Sequence, residues 1–505
     1  MSTGGFGCPV SAVRQIVSCL GEVKMWWGGM EDPVAVAMVL GAAVLLVLSW
    51  AVLNSSGKGS SRAKIPRGSR GWPLIGETLA FANADPLEFT APRVKKYGPV
   101  FRSHIAGVPS VIVTTPDMAK FVYSEKTLFR ASYPSNIATL VGRKSLSNCD
   151  PARHPFLKKL VHSVLLPETI RHEVGRSEGF VLDTLNSWGD GKIVQTTAEM
   201  KEFTLYAAVY TIFGITHVRG SPEAQILVDA YQSLSEAFYA IPINLPGFTW
   251  YKALKSKQRA CDYVATLIAK SRKDAEEGKE CNSVLRGLVV AVDEKGNKLE
   301  NDEIMDVLVG ALFGAHDTTA TSLTWIIKFL TENPDIRKVI VAEQEEIARL
   351  KEPGSPLTWE HTRKMHLTHQ VIQETLRYPT ILQFTARAAL QDVEYKGYLI
   401  PKGWRVFVMT TSIHLDPAIF ASPTKFDPSR FKAAPKLGTY LPFGSGTHVC
   451  PGNELAKLNM CTFIHHFTTK FSWKAIQPDA ETEFKPFALP KGGYPIEVHR
   501  HVKAH

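Results

Sequence analysis

Cysteine is scarce in this chain, and the cysteines present form no recognisable framework. Seven are spread over 505 residues, and no two of them form a CxxC pair. This odd and scattered set excludes the disulfide scaffold of a small secreted domain and the paired thiolates of a structural zinc site. We therefore expect the main part of the chain to fold in a reducing compartment.

Internal repeats and long Gly/Ser tracts are also missing after Gly76. With 45% hydrophobic and 21% charged residues, the chain is unlike a disordered or low-complexity protein and can bury a large core. The absence of an internal boundary predicts one large domain, residues 76–505. We expect no nucleic-acid partner.

Charge is absent from one stretch near the N-terminus, Val34–Leu53, which reads VAVAMVLGAAVLLVLSWAVL. A helix of this length reaches about 30 Å, the thickness of a bilayer core. A secretory signal or a buried helix is the alternative, but a signal is usually shorter and a core helix usually has a polar stripe. The stretch therefore predicts a transmembrane anchor.

Charges on either side of this anchor indicate its orientation. Glu31 and Asp32 precede it, and basic residues follow it: Lys58, Arg62, Lys64, Arg67 and Arg70. The positive-inside tendency then places the large domain in the cytosol. Residues 1–33 would be a short tail on the far side, and residues 54–75 a basic linker stiffened by proline and containing glycine.

The large domain is predicted to be mainly α-helical, with a smaller β-rich region. Asn301–Asn333 contains no proline, begins with acidic residues and is followed by Pro334, which predicts one long helix through the core. Val393–Thr411 alternates in polarity and contains turn residues at 401–403, which predicts a β-hairpin.

The stretch PFGSGTHVCPG, Pro442–Gly452, places Cys450 in a glycine-rich loop before a segment with helical spacing. Glycine lets backbone approach a flat ligand closely. A helix beginning near Asn453 would direct its positive end at the sulfur and lower the pKa of the thiol. Such a thiolate could be a metal ligand, a redox sensor or a nucleophile with His448 as its base, and an inert cysteine is the remaining alternative.

Two further motifs carry charge or hydroxyl groups at helical spacing. QETLRYP places Glu374 and Arg377 on one face of a helix, where they can form an ion pair, and PSRF supplies Arg430 before the cysteine loop. GAHDTT places Asp317 and Thr318 in an apolar helix, where they need partners. The Thr318 hydroxyl can bond back to the Gly314 carbonyl, which opens the helix for water or dioxygen. A satisfied buried Asp/Thr pair is the alternative.

Together these motifs resemble the cytochrome P-450 superfamily, the haem-thiolate monooxygenases, from about Gly71 to the C-terminus. The resemblance implies haem b with Cys450 as the axial ligand of its iron. The superfamily's cysteine-loop pattern is matched by Phe443, Gly446, Cys450 and Gly452. Its charged network is matched by Glu374, Arg377 and Arg430, and its oxygen-groove motif by Gly314, Asp317 and Thr318.

Two positions depart from the pattern. Ala315 stands where many members have glycine, and His448 stands where most have an arginine near a haem propionate. The resemblance then leaves propionate contacts to His154, Lys158 and Arg387. Neither departure removes the ligand of the iron.

The resemblance also implies a mechanism and partners. Asp317 and Thr318 would hold a water chain that delivers protons for the cleavage of dioxygen. Glu374, Arg377 and Arg430 would fix the cysteine loop. Electrons would come from NADPH through a flavoprotein, NADPH-cytochrome reductase, and the net charge of +10 suits docking to an acidic partner beside membrane lipid of the endoplasmic reticulum.

The substrate is predicted to be a hydrophobic small molecule. Its pocket would be lined by Leu312, Phe313, Ala315, Ile381 and Leu382. GTHVCPGNELAKL, PFALP and KFDPSRF are similar to plant oxidases of terpenoid and steroid hormones. The histidine before the cysteine and PGNELAKL are most similar to abscisic acid 8'-hydroxylases. A brassinosteroid or gibberellin-pathway oxidase is the alternative, and a haem-thiolate isomerase or a non-catalytic haem sensor stays open from other classes.

Overall fold

The structure is a computed structural model, and it describes residues 63–72, 75–215, 221–238, 240, 242–352, 354–484 and 487–501. The predicted tail and membrane span, residues 1–53, lie outside these residues. Within them, no helix is both long and apolar enough to cross a membrane. Ala63–Gly71 and Ile75–His505 form one compact unit, and the other unit, Met1–Arg62 with Trp72–Leu74, lies almost entirely outside the described residues.

Helices make up most of the compact unit, as predicted. The first half of the chain contains α1 (Thr78–Asn83), α2 (Pro86–Tyr97), α3 (Pro116–Ser124), α4 (Ser135–Val141), α5 (His154–Ser163), α6 (Pro167–Ile170), α7 (Val174–Asn186), α8 (Thr196–Phe213), α9 (Pro222–Ala237) and α10 (Thr249–Glu276). The second half contains α11 (Val284–Val290), α12 (Asn301–Ala315), α13 (Asp317–Glu332), α14 (Pro334–Leu350), α15 (Trp359–Lys364), α16 (His366–Arg377), α17 (Thr410–His414) and α18 (Asn453–Lys470).

In the part of the chain that the structure describes, the strands form four small sheets. They are β1 (Val100–Ile105), β2 (Val108–Val113), β3 (Phe129–Ala131), β4 (Ile193–Val194), β5 (Phe384–Ala389), β6 (Val393–Tyr395), β7 (Tyr398–Ile400), β8 (Arg405–Met409), β9 (Phe471–Ala475), β10 (Thr482–Phe484), β11 (Ala488–Pro490) and β12 (Ile496–Arg500). The largest sheet has the order β1-β2-β8-β5-β3, and β2 and β8 are its parallel pair.

The two faces of this largest sheet pack against different hydrophobic clusters. Val111 and Val406 are paired across β2 and β8 and point into one cluster, whereas the next pair, Ile112 and Phe407, points into the other. This alternation is the period of two that a strand imposes on its side chains. Arg387 on β5 is opposite Val406 and therefore lies on the first face.

The predicted single helix over Asn301–Asn333 is two helices. α12 ends at Ala315 and α13 begins at Asp317, and His316 between them has φ −103° and ψ −67°. The Thr318 hydroxyl donates to the Gly314 carbonyl at 3.2 Å, the back-bond that was expected to open the helix. Pro334 does not only end α13, because it is also the first residue of α14.

The prediction of one hairpin over Val393–Thr411 is wrong in its pairing. β6 and β7 form a short antiparallel pair that turns at Lys396 and Gly397. β8 pairs instead with β2 and β5 of the large sheet. The turn residues at 401–403 therefore pass the chain from one sheet to another, which alternation within a single segment could not reveal.

Residues 63–72 and 75, the described part of the predicted linker, contain no helix. Lys64 forms a β-bridge with Tyr398, and Gly68 forms one with Arg102. The Arg102 N–H also donates to the Arg67 carbonyl at 2.9 Å. Residues 63–71 therefore extend along the strands of the compact unit.

Candidate active site

The cysteine loop is held close to α3 and to itself. Gly446 has φ +68°, and a Cβ at this position would lie 2.0 Å from the Tyr123 carbonyl oxygen. Only glycine fits so close an approach in this conformation. The Cys450 N–H donates to the Phe443 carbonyl at 2.9 Å, and α18 begins after Gly452 as predicted.

The prediction of a lowered pKa for the Cys450 thiol is wrong. Although Cys450 keeps an exposed surface, the protein packed around its sulfur raises the pKa of the thiol. The Gly452 N–H and the Lys158 charge both act to lower the pKa, but burial is the larger influence. Binding of a metal ion to the sulfur would remove this preference, because a coordinated thiol loses its proton.

A cluster of basic side chains lies beside this loop. The Lys158 ammonium donates to the Thr447 carbonyl at 2.7 Å, and the rings of His154 and His448 lie 3.9 Å apart between centroids. The Arg387 guanidinium lies 5.6 Å from the centre of the Tyr123 ring. Residues from α5, β5 and the loop therefore meet at one place.

The two histidines of this cluster are neutral at physiological pH. Burial, together with repulsion from the charges of Lys158 and Arg387, lowers the pKa of His154 to about 4. Burial, together with repulsion chiefly from Arg387, lowers the pKa of His448 to about 3. Both rings can still donate one hydrogen bond each.

Arg387 is the strongest indication that this cluster binds an anion. The residue is only 6% exposed and its guanidinium donates to the Ala386 carbonyl at 3.1 Å, yet it forms no ion pair with any carboxylate in the part of the chain that the structure describes. A buried guanidinium without a counter-charge is strongly unfavourable. A thiol for iron beside a buried cation, a lysine and two imidazoles is a donor set that fits haem and its propionates.

The predicted charged network on α16 is completely buried. Arg377 and Glu374 form a two-bond ion pair, with distances of 2.6 and 2.8 Å, and both side chains are 0% exposed. Glu374 also accepts from the Asp427 N–H at 2.9 Å and from Arg430 at 3.3 Å. Arg430 in turn donates to the carbonyls of Ala421 and Ser422.

His414 connects this network to the cysteine loop, and sequence reasoning missed it. Its carbonyl accepts from Arg377 at 2.9 Å, and its ring accepts from the Leu441 N–H at 2.8 Å, just before the loop begins. Burial lowers the pKa of His414 to about 3, so the ring stays neutral and can accept this bond. No motif of the sequence marks this histidine. We call Glu374, Arg377, Arg430 and His414 the cysteine-loop network.

Asp317 lies in a second buried network at the helix break. Its carboxylate accepts from the Tyr231 hydroxyl at 2.6 Å and from the Ser235 hydroxyl at 3.1 Å, and it lies 3.0 Å from the Lys201 ammonium. His316 lies 3.3 Å away. We call Lys201, Tyr231, Ser235, His316 and Asp317 the helix-break network.

The electrostatics of this second network keep Asp317 ionised. Burial alone would raise the pKa of Asp317, but His316, Lys201 and Tyr231 together hold it well below its ordinary value. Burial lowers the pKa of His316, so at neutral pH its ring is neutral and Lys201 carries the balancing charge. Three of the five members could not be linked to Asp317 by sequence, because they lie on α8 and α9.

Thr318 and Gly314 lie on a different side of the helix from the predicted pocket residues Leu312 and Phe313. Gly314 is exposed, and a Cβ added to it would meet no atom within 4 Å. Leu312 and Phe313 instead line a small apolar cavity together with Tyr231 and other residues of α8, α9 and α10. The open side of the break therefore belongs to Gly314, Thr318 and the partly buried Ala315 next to them in sequence.

The remaining predicted pocket residues follow α16. Ile381 is buried in the main core at 5% exposure, whereas Leu382 is 42% exposed. Leu382 directly precedes Gln383 and strand β5, which carries Arg387. Of this pair, Leu382 is therefore the residue whose side chain can contact a ligand.

Comparison with known proteins agrees with this geometry. The cytochrome P450 family model matches residues 66–498. Abscisic acid 8'-hydroxylase 1 of Arabidopsis thaliana is 41% identical over 443 residues, covering 88% of this chain and 92% of that protein. Abscisic acid 8'-hydroxylase 4 of the same plant is 39% identical over 469 residues, covering 92% of this chain and 98% of that protein.

Solved structures show the same fold. Retinoic acid-bound cyanobacterial CYP120A1 is 27% identical, with a TM-score of 0.76, and the match covers 87% of this chain and 100% of that chain. The haem domain of cytochrome P450DA is 18% identical, with a TM-score of 0.72, over 87% of this chain and 98% of that chain. The mainly helical body and small sheets are therefore shared well beyond close relatives.

Proposed function

The chain belongs to the cytochrome P450 family, and from this premise we propose that it hydroxylates abscisic acid at the 8' position. As a member of that family it is a haem-thiolate monooxygenase, which uses dioxygen, a hydrophobic substrate and electrons from a redox partner. The observation that carries the substrate is the identity of 39–41% to abscisic acid 8'-hydroxylases of Arabidopsis and rice over most of the chain.

Five residues would hold the haem: Cys450, Arg387, Lys158, His154 and His448. Bound haem would supply the activation of dioxygen, and the Cys450 thiolate would be the residue that binds its iron and favours cleavage of the O–O bond. The buried guanidinium of Arg387 would pair with a propionate, and Lys158 would hold a second charge close by. The neutral rings of His154 and His448 would donate hydrogen bonds there rather than charge.

Thr318 is the residue best placed to move a proton. Among the residues that the structure describes, its hydroxyl is bonded only to the carbonyl of Gly314, at the open side of the helix break, so it could turn to donate to dioxygen or water. Asp317 is next to it in sequence, but its carboxylate is held by Tyr231, Ser235 and Lys201. Asp317 would therefore act indirectly. It would fix the position of the helix break, and it would exchange protons with solvent through the partly exposed Lys201.

Electrons would come from NADPH through a flavoprotein reductase. The net charge of +10 favours docking to an acidic partner and to anionic lipid. We also propose that residues 34–53 anchor the protein in the endoplasmic reticulum membrane, with residues 54–75 as linker and residues 76–505 as the cytosolic monooxygenase domain. Deletion of residues 1–57 should release the protein from membranes and leave haem binding intact. Loss of haem in the shortened protein would contradict this boundary.

Turnover of abscisic acid with purified reductase tests the function directly. We expect a product that carries one added oxygen at the 8' carbon and forms only when both NADPH and reductase are present. Product formation from a hydroperoxide without reductase would indicate an isomerase, and haem binding without any turnover would indicate a sensor. Faster turnover of a brassinosteroid or gibberellin precursor would overturn the proposed substrate.

A further inference from the structure

The small apolar cavity between α8, α9, α10 and α12 is separate from the anion-binding cluster. Its walls include six residues that are each at most 7% exposed: Leu227, Ala230, Tyr231, Ala260, Val264 and Leu312. The centre of a water-sized guest can occupy about 20 Å³ of the cavity, and one such guest needs about 10–15 Å³. The cavity can therefore hold one very small molecule but not an isoprenoid.

The two polar groups among the described lining residues have partners outside the cavity. The Tyr231 hydroxyl donates to Asp317 at 2.6 Å, and the Lys257 ammonium donates to the Thr139 carbonyl on α4 at 2.7 Å. A buried water usually forms about two to four hydrogen bonds, so this lining does not suit water. An apolar guest therefore fits the cavity better than water does.

Tyr231 connects the cavity to the break between α12 and α13. Its ring lines the cavity and lies 4.0 Å from the His316 ring between centroids, and its hydroxyl holds the Asp317 carboxylate. The wall of the cavity is therefore also a part of the helix-break network.

The cavity and the open side of the break lie on nearly opposite sides of α12. Leu312 lines the cavity, and Gly314, which is exposed, lies two residues later, about 200° further around the helix. The width of one helix, about 10 Å, separates the two places. A guest in the cavity is therefore close to the place where Thr318 would move a proton.

We propose that this cavity is a binding site for dioxygen, which it holds beside the helix break before the reaction. Among the molecules of the proposed reaction, dioxygen is the one that is both apolar and close to water in size. The inference rests on the proposed function, since it assigns a site to the co-substrate of the same reaction. It does not depend on which isoprenoid is hydroxylated.

Xenon is the probe for the site, because apolar cavities that exclude water bind it. Crystals of the haem-loaded full-length chain under xenon pressure should show, by anomalous scattering, a xenon atom between Tyr231, Ala260 and Leu312. Ala260→Val fills the cavity from α10 and should abolish this xenon site. Ala230→Val should do the same from α9, so the result does not depend on the folding of one variant. Ala265→Val is the matched control, because Ala265 is exposed on α10.

The association of dioxygen with the reduced haem, followed after flash photolysis of the CO complex, is the second measurement. We expect association to be about threefold slower in Ala260→Val and Ala230→Val, because a diatomic guest makes few dispersion contacts with the walls. Ala265→Val should match the parent. Neither measurement needs an organic substrate. Failure of the proposed function would be seen as the absence of 8'-hydroxylated abscisic acid, with both of these results unchanged.

Three results would overturn the proposal. The first is an ordered water, or no xenon, in the cavity of the parent. The second is xenon in the cavity together with equal rates of dioxygen association in the parent and in the two filled variants. The third is an equal slowing in Ala265→Val, which would assign the effect to α10 and not to the cavity.

Discussion

The cysteine-loop network and the helix-break network are both buried and charged, but they are assembled differently. Glu374 and Arg377 are three residues apart on one helix, and neither side chain is exposed. Asp317 and Lys201 come from different helices, and the Lys201 side chain is 38% exposed. The first network reaches the surface at its edge, where the Arg430 side chain is 13% exposed, whereas the second is much more open to water at Lys201. A largely closed network suits a support, and a network open to solvent suits proton exchange.

The comparison also concerns what each network holds. The cysteine-loop network ends in backbone groups, since Arg377 and Arg430 donate to carbonyls and His414 accepts from Leu441. The helix-break network ends in side chains, with Tyr231 and Ser235 as donors to Asp317. Backbone partners fix the path of a loop, while side-chain partners leave the backbone of the break free to adjust.

The largest expected effect is at the residue that the first network supports. Cys450→Ala should abolish both the thiolate-ligated ferrous-CO absorption band and all activity, because no other side chain of this loop offers a sulfur to iron. Absorption spectroscopy of the reduced CO complex measures this. Cys461→Ala is the matched control, since Cys461 is buried on α18 and burial raises its pKa to about 12. A retained band in the Cys450 variant would show that Cys450 is not the ligand of the haem iron.

Breaking the cysteine-loop network should be the next largest effect. Glu374→Gln leaves Arg377 buried without a counter-charge, which should lower the free energy of unfolding by about 3–5 kcal/mol and reduce haem incorporation. Urea unfolding and haem content per chain measure both. The exposed Asp117–Lys396 pair provides a control, because Asp117→Asn should have no measurable effect. Equal stability of the two variants would remove the distinction between a closed network and a surface pair.

Asp317→Asn should lower the free energy of unfolding less than Glu374→Gln does, because the Lys201 side chain can turn to water. We expect the free energy of unfolding to fall by about 2 kcal/mol at pH 7. The pKa of Asp317 is held below its ordinary value, so its contribution is fully present above pH of about 4 and is lost as the pH falls below that. Thermal unfolding from pH 7 to pH 3 should therefore show a constant difference between the two proteins down to about pH 4 and a smaller difference at pH 3. Asp302→Asn, an exposed control on α12, should follow the parent throughout.

The smallest expected effect on stability, but a specific one on chemistry, is at Thr318. Thr318→Ala should leave haem content and substrate binding nearly unchanged, since the hydroxyl contributes about 1 kcal/mol at most through its back-bond. The fraction of consumed NADPH that appears as product should fall about tenfold, with hydrogen peroxide or water formed instead. Thr319→Ala is the control, because Thr319 makes the same kind of back-bond one residue later. An unchanged ratio of product to NADPH would make Thr318 a core residue only.

Local sequence determined the elements that depend on neighbours along the chain. The spacing of Glu374 and Arg377, the back-bond of Thr318, the start of α18 after Gly452 and the glycine at position 446 all follow from helix geometry or from tight turns. The same local reasoning predicted one continuous helix where two helices meet at His316. It also placed the hairpin turn at 401–403, whereas the chain turns at Lys396 and Gly397. In both cases the outcome depends on partners distant in sequence, such as Thr204, which donates to the His316 carbonyl at 3.2 Å.

Only the tertiary structure decided how charges are balanced. The pKa of Cys450 is raised rather than lowered because packing around the sulfur outweighs the helix end, and packing cannot be read from one loop. His414, Lys201 and Tyr231 carry no motif, because each acquires its environment from elements that meet only in the folded protein. Sequence thus determined which residues carry the chemistry, and the fold decided which of them are charged or paired, since burial and distance set the energy of every polar group.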